Sequence, residues 1–323
     1  MTAGGTIRTG AFVIGSSAGS TFTWTRGAGT VELTSTNTLP GSILTSFNNL
    51  IISASTTSLG APLQVIGNLT INSGATLTPG SNLLTLSGNF TNNGTITSGS
   101  GGITLAGTSN QSIAGFTTTG TVSMTKTGGT ATFQGNVDGA SLTINGNGGI
   151  LNLGTSLTHT FSGAWTRNVG TLNGGSSTLR LGGSVSGTGG TFTAGTGTVE
   201  YNGASQTIAN VTYNNLIFSG TNTKTIGAAI SVSGALSINT GVVANLGTFS
   251  HSVGSLTLAG NGTASGSWGS TSSSATYKNN TFFAATAGVL NVTSATWRTP
   301  SVTVTPVGSY TYNGASQGPN AAT

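Results

Sequence analysis

The strongest constraint on this chain is that it repeats itself over a long distance without a gap. Residues 59–74, Leu-Gly-Ala-Pro-Leu-Gln-Val-Ile-Gly-Asn-Leu-Thr-Ile-Asn-Ser-Gly, realign on residues 226–241, Ile-Gly-Ala-Ala-Ile-Ser-Val-Ser-Gly-Ala-Leu-Ser-Ile-Asn-Thr-Gly, at an offset of 167. Gly60, Ala61, Val65, Gly67, Leu69, Ile71, Asn72 and Gly74 recur identically. Upstream, Phe47-Asn-Asn-Leu-Ile-Ile52 matches Tyr213-Asn-Asn-Leu-Ile-Phe218 at 166, and Gly29-Thr-Val-Glu-Leu33 matches Gly197-Thr-Val-Glu-Tyr201 at 168. Trp24-Thr-Arg26 recurs as Trp165-Thr-Arg167. A chain that repeats in this way stacks one small unit many times instead of closing a single globular core.

A shorter period lies inside the long one. Apolar residues step through Leu33, Ile52, Ile71, Leu86, Leu105, Met124, Ile144, Phe161, Leu181, Tyr201, Phe218, Ile238 and Leu258, and backward to Ile14. The mean step is about 19 residues, near the short end of solenoid repeats. Around the markers the apolar residues come in period-two pairs, such as Leu50 and Ile52, Leu142 and Ile144, and Leu236 and Ile238, often with Thr between them. This is the strand pattern. Gly, Asn and Ser clusters between the pairs read as turns. The expected fold is all-β: a parallel β-solenoid (β-helix) of about 19 residues per coil with no significant helix. Stacking at about 4.8 Å would give about 13–15 coils and a rod of roughly 60–70 Å. An up-and-down membrane barrel would need strands of about ten residues and aromatic girdles. The strands here are about half that length and carry no girdle.

Composition narrows the chemistry. Charged residues make up 3% of the chain, against about 25% in ordinary domains. Gly is 54 of 323 residues, without the period of three and the Pro content of collagen. Cys is 0, which excludes disulfides and thiolate metal sites. The same low charge describes flexible linkers, but the apolar alternation argues for a packed fold. The net charge of +5 comes from 8 scattered cations, so the clustered Lys/Arg expected of a nucleic-acid binder is missing. No long apolar run predicts a membrane-inserted helix. The start, Met-Thr-Ala-Gly-Gly-Thr, has no basic and apolar signal-peptide pattern. An uncharged, Cys-free, Ser/Thr/Gly/Asn-rich chain nonetheless fits an extracellular setting, as one piece of a longer secreted protein.

Candidate sites are few. The acids are Glu32, Asp138 and Glu200, and the two Glu occupy equivalent repeat positions. At the coil spacing they would lie roughly 40 Å apart, too far for a carboxylate pair. They read as outward, solvated residues. His159 and His251 fall in separate coils without acids nearby, which predicts no metal site. No Gly-x-Ser-x-Gly occurs in a strand-to-helix setting. The expectation is therefore no catalytic residues, no cofactor and no metal. Trp24 with Arg26, and Trp165 with Arg167, are the candidate glycan-stacking pairs, because a ring beside a guanidinium can hold a sugar. The other reading of each Trp is a plug in a wide corner of the core.

The run from Gly190 to Ile208 (Gly-Thr-Phe-Thr-Ala-Gly-Thr-Gly-Thr-Val-Glu-Tyr-Asn-Gly-Ala-Ser-Gln-Thr-Ile), followed by Tyr213-Asn-Asn-Leu-Ile-Phe-Ser219, resembles repeats of very large Bacteroidota surface proteins. These include gliding adhesins exported by the type IX route and, more distantly, haemagglutinin-like passengers. The resemblance spans about residues 20–296. The tail from Ser301 to Thr323 resembles the opening of an MBG-type β module. The implied division is a solenoid over 1–296 and a linker with an incomplete module over 297–323. The implied role is a non-catalytic stalk or filament segment of an adhesin at the bacterial cell surface. Its partners would be neighbouring copies or flanking modules, with surface glycans as a further candidate, and with no nucleic acid and no membrane insertion. A carbohydrate-binding or polysaccharide-degrading β-helix is one alternative, and an ice-binding solenoid with flat Thr-x-Thr columns is another. No segment reads as a cap, so both solenoid ends would need covering by other chain.

Overall fold

The computed structural model describes residues 4–12, 23–41 and 43–296. Among them there is no helix. Parallel strands about 20 residues apart stack into a β-solenoid of about 12 turns. At about 4.8 Å per turn its length is roughly 58 Å. The assignments made for Ile14 and the 297–323 module lie outside the described residues.

Each regular turn places a short stretch of strand on each of three faces, and some strands, such as Ser141–Asn152, run through a corner to serve two. In the turn from residue 63, Leu63–Val65 lies on face A, Leu69–Ile71 on face B and Thr76–Thr78 on face C. Within each strand alternate residues point inward, so a strand of three needs only two apolar residues. Leu69 sits between Leu50 and Phe90, and Ile71 is paired with Ile52. Leu69 and Ile71 are fully buried. Outward positions carry small β-branched or hydroxyl residues. Face A shows Thr85, Thr104, Ser123, Thr143, Thr166 and Ser186 in one row, each in register with the next. The neighbouring outward positions are Ser87, Ala106, Thr125 and Asn145, so no second Thr row runs beside the first.

The marker series read from the sequence is real but changes face twice. Leu33, Ile52 and Ile71 stack on face B. Leu86, Leu105, Met124 and Ile144 stack on face A. Phe161, Leu181, Tyr201, Phe218, Ile238 and Leu258 stack on face C. The two changes fall at the short steps, from Ile71 to Leu86 and from Ile144 to Phe161. Each counts two-thirds of a turn as a whole one, which raises the coil count above the observed 12.

The long repeat also rotates by one face. Asn49–Ile52 lies on face B, and its match Asn215–Phe218 lies on face C. The local contacts are nevertheless the same. Asn48 O accepts a hydrogen bond from Gly67 N–H at 2.7 Å, and Asn214 O from Gly234 N–H at 2.8 Å. Asn49 Oδ1 accepts from Asn68 N–H, and Asn215 Oδ1 from Ala235 N–H. At both corners a Cβ on the glycine would run into the Asn side chain, so glycine is required there by close approach. The sequence motif encodes a strand–corner–strand unit that any face accepts.

The expectation of uncapped ends is corrected at the C-terminal side of the stack. After Leu258 the chain leaves the repeat and turns antiparallel. Residues 261–262 pair back onto Thr257 and Leu258, at the last rung of face C. Gly266–Gly269 runs antiparallel along Val289–Val292, the last rung of face B. Phe283 bridges Ala244 at the end of face A. Residues 259–283 thus meet all three faces, antiparallel at faces C and B and through one parallel bridge at face A.

Candidate functional site

Four kinds of polar feature stand out among the described residues, and three of these recur in pairs. The first is a buried Lys–Gln clamp at a corner. Lys126 Nζ donates to Ser109 O at 2.8 Å, to Ala106 O at 3.3 Å and to Gln111 Oε1 at 2.9 Å. Gln111 Nε2 donates to Leu86 O and Gly88 O of the turn before. Lys224 repeats this with Gly203 O, Ala204 O and Gln206 Oε1 at 2.6, 2.6 and 2.7 Å. Gln206 Nε2 then donates to Leu181 O and Gly183 O. Both lysines are fully buried, and burial lowers their pKa, in Lys224 to about 8. Carbonyl oxygens stand in for the hydration that a buried ammonium loses.

The second is a neutral His staple. His159 Nδ1 accepts from Val137 N–H at 3.1 Å and its Nε2 lies 2.8 Å from Leu153 O. His251 does the same with Ile230 N–H and Leu246 O. One acceptor and one donor nitrogen define the neutral Nε2–H tautomer. Burial lowers both pKa values, and for His159 the Leu153 hydrogen bond and Asp138 oppose the shift. The third is an outward ladder. Arg8 and Arg180 pair with Glu32 at 3.5 Å and Glu200 at 2.9 Å, and Ser53 and Ser219 donate to the same carboxylates from the following turn. Glu32 and Glu200 are half-buried members of these ladders on different faces, not freely solvated.

The fourth feature occurs once. Phe47, Val65, Leu86, Leu105, Met124 and Ile144 form one inward column on face A, and Arg167 takes the next place in it. Trp165 follows Leu63, Leu84, Ile103, Val122 and Leu142 in the parallel column, with Val185 after it. Trp165 is 1% exposed and packs edge-on against Phe192 at 5.4 Å. The Arg167 guanidinium lies 5.4 Å from the Trp165 ring centroid, so Trp165 presents no open ring to a sugar. Arg167 is 7% exposed, and its Nη2 donates to Gly190 O at 3.2 Å. Burial lowers its pKa, opposed by Tyr213 and Tyr201 nearby. Trp24 is half-buried between Phe12 and Phe47, and its Nε1 donates to Ser46 O at 2.7 Å. Arg26 beside it is exposed, and both line a shallow cleft with Asn48. The two Trp-Thr-Arg copies thus share position but not exposure.

The ladder opens next to Arg167. Val185–Ser186 on face A has no hydrogen-bonded rung with Gln206–Ile208, nor has Thr191–Thr193 with Thr212–Tyr213 on face B. Face C alone continues, with Thr198 paired to Asn215 after a shortened turn. That turn is filled from inside by Tyr201 and Tyr213, whose hydroxyls lie 3.0 Å apart and bind the Ala209 backbone. Burial raises the Tyr201 pKa to about 12 and that of Tyr213 well above its usual value. Outside them lies a cleft of about 300 Å³ bordered by Arg167, Val185, Thr188, Thr207, Ile208 and Asn210.

Sequence reasoning singles out Arg167 for its neighbour Trp165 and misses its inward position. It also misses the clamps and staples. Their signals are present as Gln111-Ser-Ile-Ala114 and Gln206-Thr-Ile-Ala209 with a Lys downstream, and as Asn-Leu-Gly-Thr at 152–155 and 245–248 before each His. Compared with known proteins, the chain matches no family model, no curated protein and no solved structure.

Proposed function

We propose that the chain is a stiff spacer in a secreted adhesin at a bacterial cell surface, with no catalytic role. The supporting observation is the stack of about 12 turns, held by backbone hydrogen bonds between turns and by apolar columns inside. Such a rod holds whatever it carries at a fixed reach and offers few loops to proteases. The 259–283 cap makes the rod a finite module, so length in a larger protein comes from flanking modules in place of end-to-end growth. The low charge keeps the fold insensitive to salt.

Two measurements test this reading. Antibodies to the chain should label intact cells of the source organism, and the purified chain should image as a rod of roughly 60 Å that resists trypsin. Labelling only after lysis would overturn the proposal. A carbohydrate-binding role has one observation in its favour, the cleft at Arg167.

A further inference from the structure

We infer that the cleft between residues 185–188 and 207–210 binds an anionic sugar residue, with Arg167 holding its charged group. Three observations carry this inference, and none of them depends on the spacer reading. First, the cleft lies where faces A and B lose their rungs, so the polypeptide leaves a gap there that its neighbouring turns do not close. Its volume of about 300 Å³ falls at the small end of ligand pockets.

Second, Arg167 is a buried cation without a counter-ion among the described residues. Every acidic side chain is engaged elsewhere: Glu32 with Arg8, Glu200 with Arg180, and Asp138 with Thr160 N–H at 3.1 Å. The two buried lysines are ringed by carbonyl and amide oxygens, whereas Arg167 makes one side-chain hydrogen bond, to Gly190 O. A guanidinium carries five N–H donors in a fork that fits a carboxylate or sulfate. Arg167 also stands at the end of a column that is otherwise apolar from Phe47 to Ile144, a costly place for a charge that serves packing alone.

Third, the rest of the wall suits a sugar ring. Thr188, Thr207 and Asn210 are exposed at the rim and supply hydroxyl and amide groups, while Val185 and Ile208 supply an apolar surface for ring carbons. A simple inorganic anion would use the fork and leave the rim idle. A carboxylate or sulfate carried on a sugar uses both.

The test is calorimetric titration of the full chain with oligogalacturonate, a sulfated galactan oligosaccharide and a neutral gluco-oligosaccharide. One or both acidic ligands should bind, more weakly as salt rises, and the neutral one should not; the acidic arm that binds identifies the charged group. Arg167→Gln should weaken binding at least tenfold, and Thr188→Val and Asn210→Ala several-fold each. The rim variants keep the melting temperature, so they decide the matter even if Arg167→Gln fails to fold. Absence of acidic binding at millimolar ligand, equal binding of the neutral ligand, or acidic binding unchanged by Thr188→Val and Asn210→Ala would overturn the inference.

Discussion

The turns from residue 46 to 173 and the turns from 185 to 218 are made from the same kind of strand but solve the stacking problem differently. In the first region the face A and face B rungs are hydrogen bonded in succession, and the inward columns are mainly Leu, Ile, Val, Phe and Met. In the second, the turn from Thr198 to Asn215 is shortened on face C, two faces lose their rungs, and Phe192, Tyr201 and Tyr213 fill the interior against Trp165 of the turn before. A regular turn therefore needs only two inward apolar residues per strand. The irregular turn is filled by large aromatics, and two of them, Tyr201 and Tyr213, also bind backbone groups at Ala209 through their hydroxyls.

The largest effect should come from Ile71→Asp in the regular region. It puts a carboxylate at a fully buried position between turns and removes an Ile worth about 1.5–3 kcal/mol of burial. The expected loss is more than about 4 kcal/mol in denaturant titrations. By comparison, Tyr213→Phe at the break should cost about 1–2 kcal/mol, by removing the hydroxyl donor from Ala209 O, which keeps only Val211 N–H, and the buried partner of the Tyr201 hydroxyl. Equal losses would remove the distinction between the two regions.

Lys224→Ala comes next. It removes the ammonium from Gln206 Oε1, Gly203 O and Ala204 O, of which the first two keep a backbone N–H donor and Ala204 O is left bare, and about 2–3 kcal/mol should be lost. Lys126→Ala should behave alike, since the clamp is the same. A loss at one and not the other would show that the recurrence is only one of sequence.

The pH response follows from burial. The folded-state pKa of His159 and His251 is lowered, so the unfolded chain takes up protons first as pH falls below the ordinary His value of about 6.5. The histidines' contribution to stability should hold above that value and be lost below it, because a second proton would turn each Nδ1 from acceptor to donor against a backbone N–H. Tyr201 and Tyr213 act in the opposite direction, with stability declining as pH rises from about 10 towards 12. Melting temperatures across the acid and alkaline ranges check both limbs, and His159→Gln with His251→Gln should flatten the acid limb alone. The smallest effect is Glu32→Gln, at about 0–1 kcal/mol, since its partner Arg8 is 71% exposed.

The fold class was legible because period-two apolar pairs and an ungapped long match are direct consequences of stacking. The face of each strand was not, because the corner unit Asn-Asn-Leu-Ile with its facing Gly works equally on face B at Asn49 and face C at Asn215. The cap was illegible for another reason. Residues 259–283 keep the Gly, Ser and Thr richness of the repeat, and the departure shows only as a loss: no Leu, Ile or Val falls there, so the apolar pairs stop, while nothing in the sequence announces the antiparallel return. At the candidate site, Arg167 was visible as a residue beside a Trp. Its burial follows from lying two positions after an inward Trp165, a phase that composition alone does not fix.

The most direct test of the stacking register exploits the absence of cysteine in the chain. Neighbouring rungs at about 4.8 Å fall within the Cα separation that a disulfide spans. The double variant Thr85→Cys with Thr104→Cys should form an intrachain disulfide on mild oxidation, as should Thr104→Cys with Ser123→Cys. Thr85→Cys with Ser123→Cys, two rungs apart, and Ser186→Cys with Thr207→Cys, across the missing rung, should stay reduced under the same conditions. Rapid oxidation of all four pairs alike, or of the two-rung pair in preference to its neighbours, would contradict the parallel register.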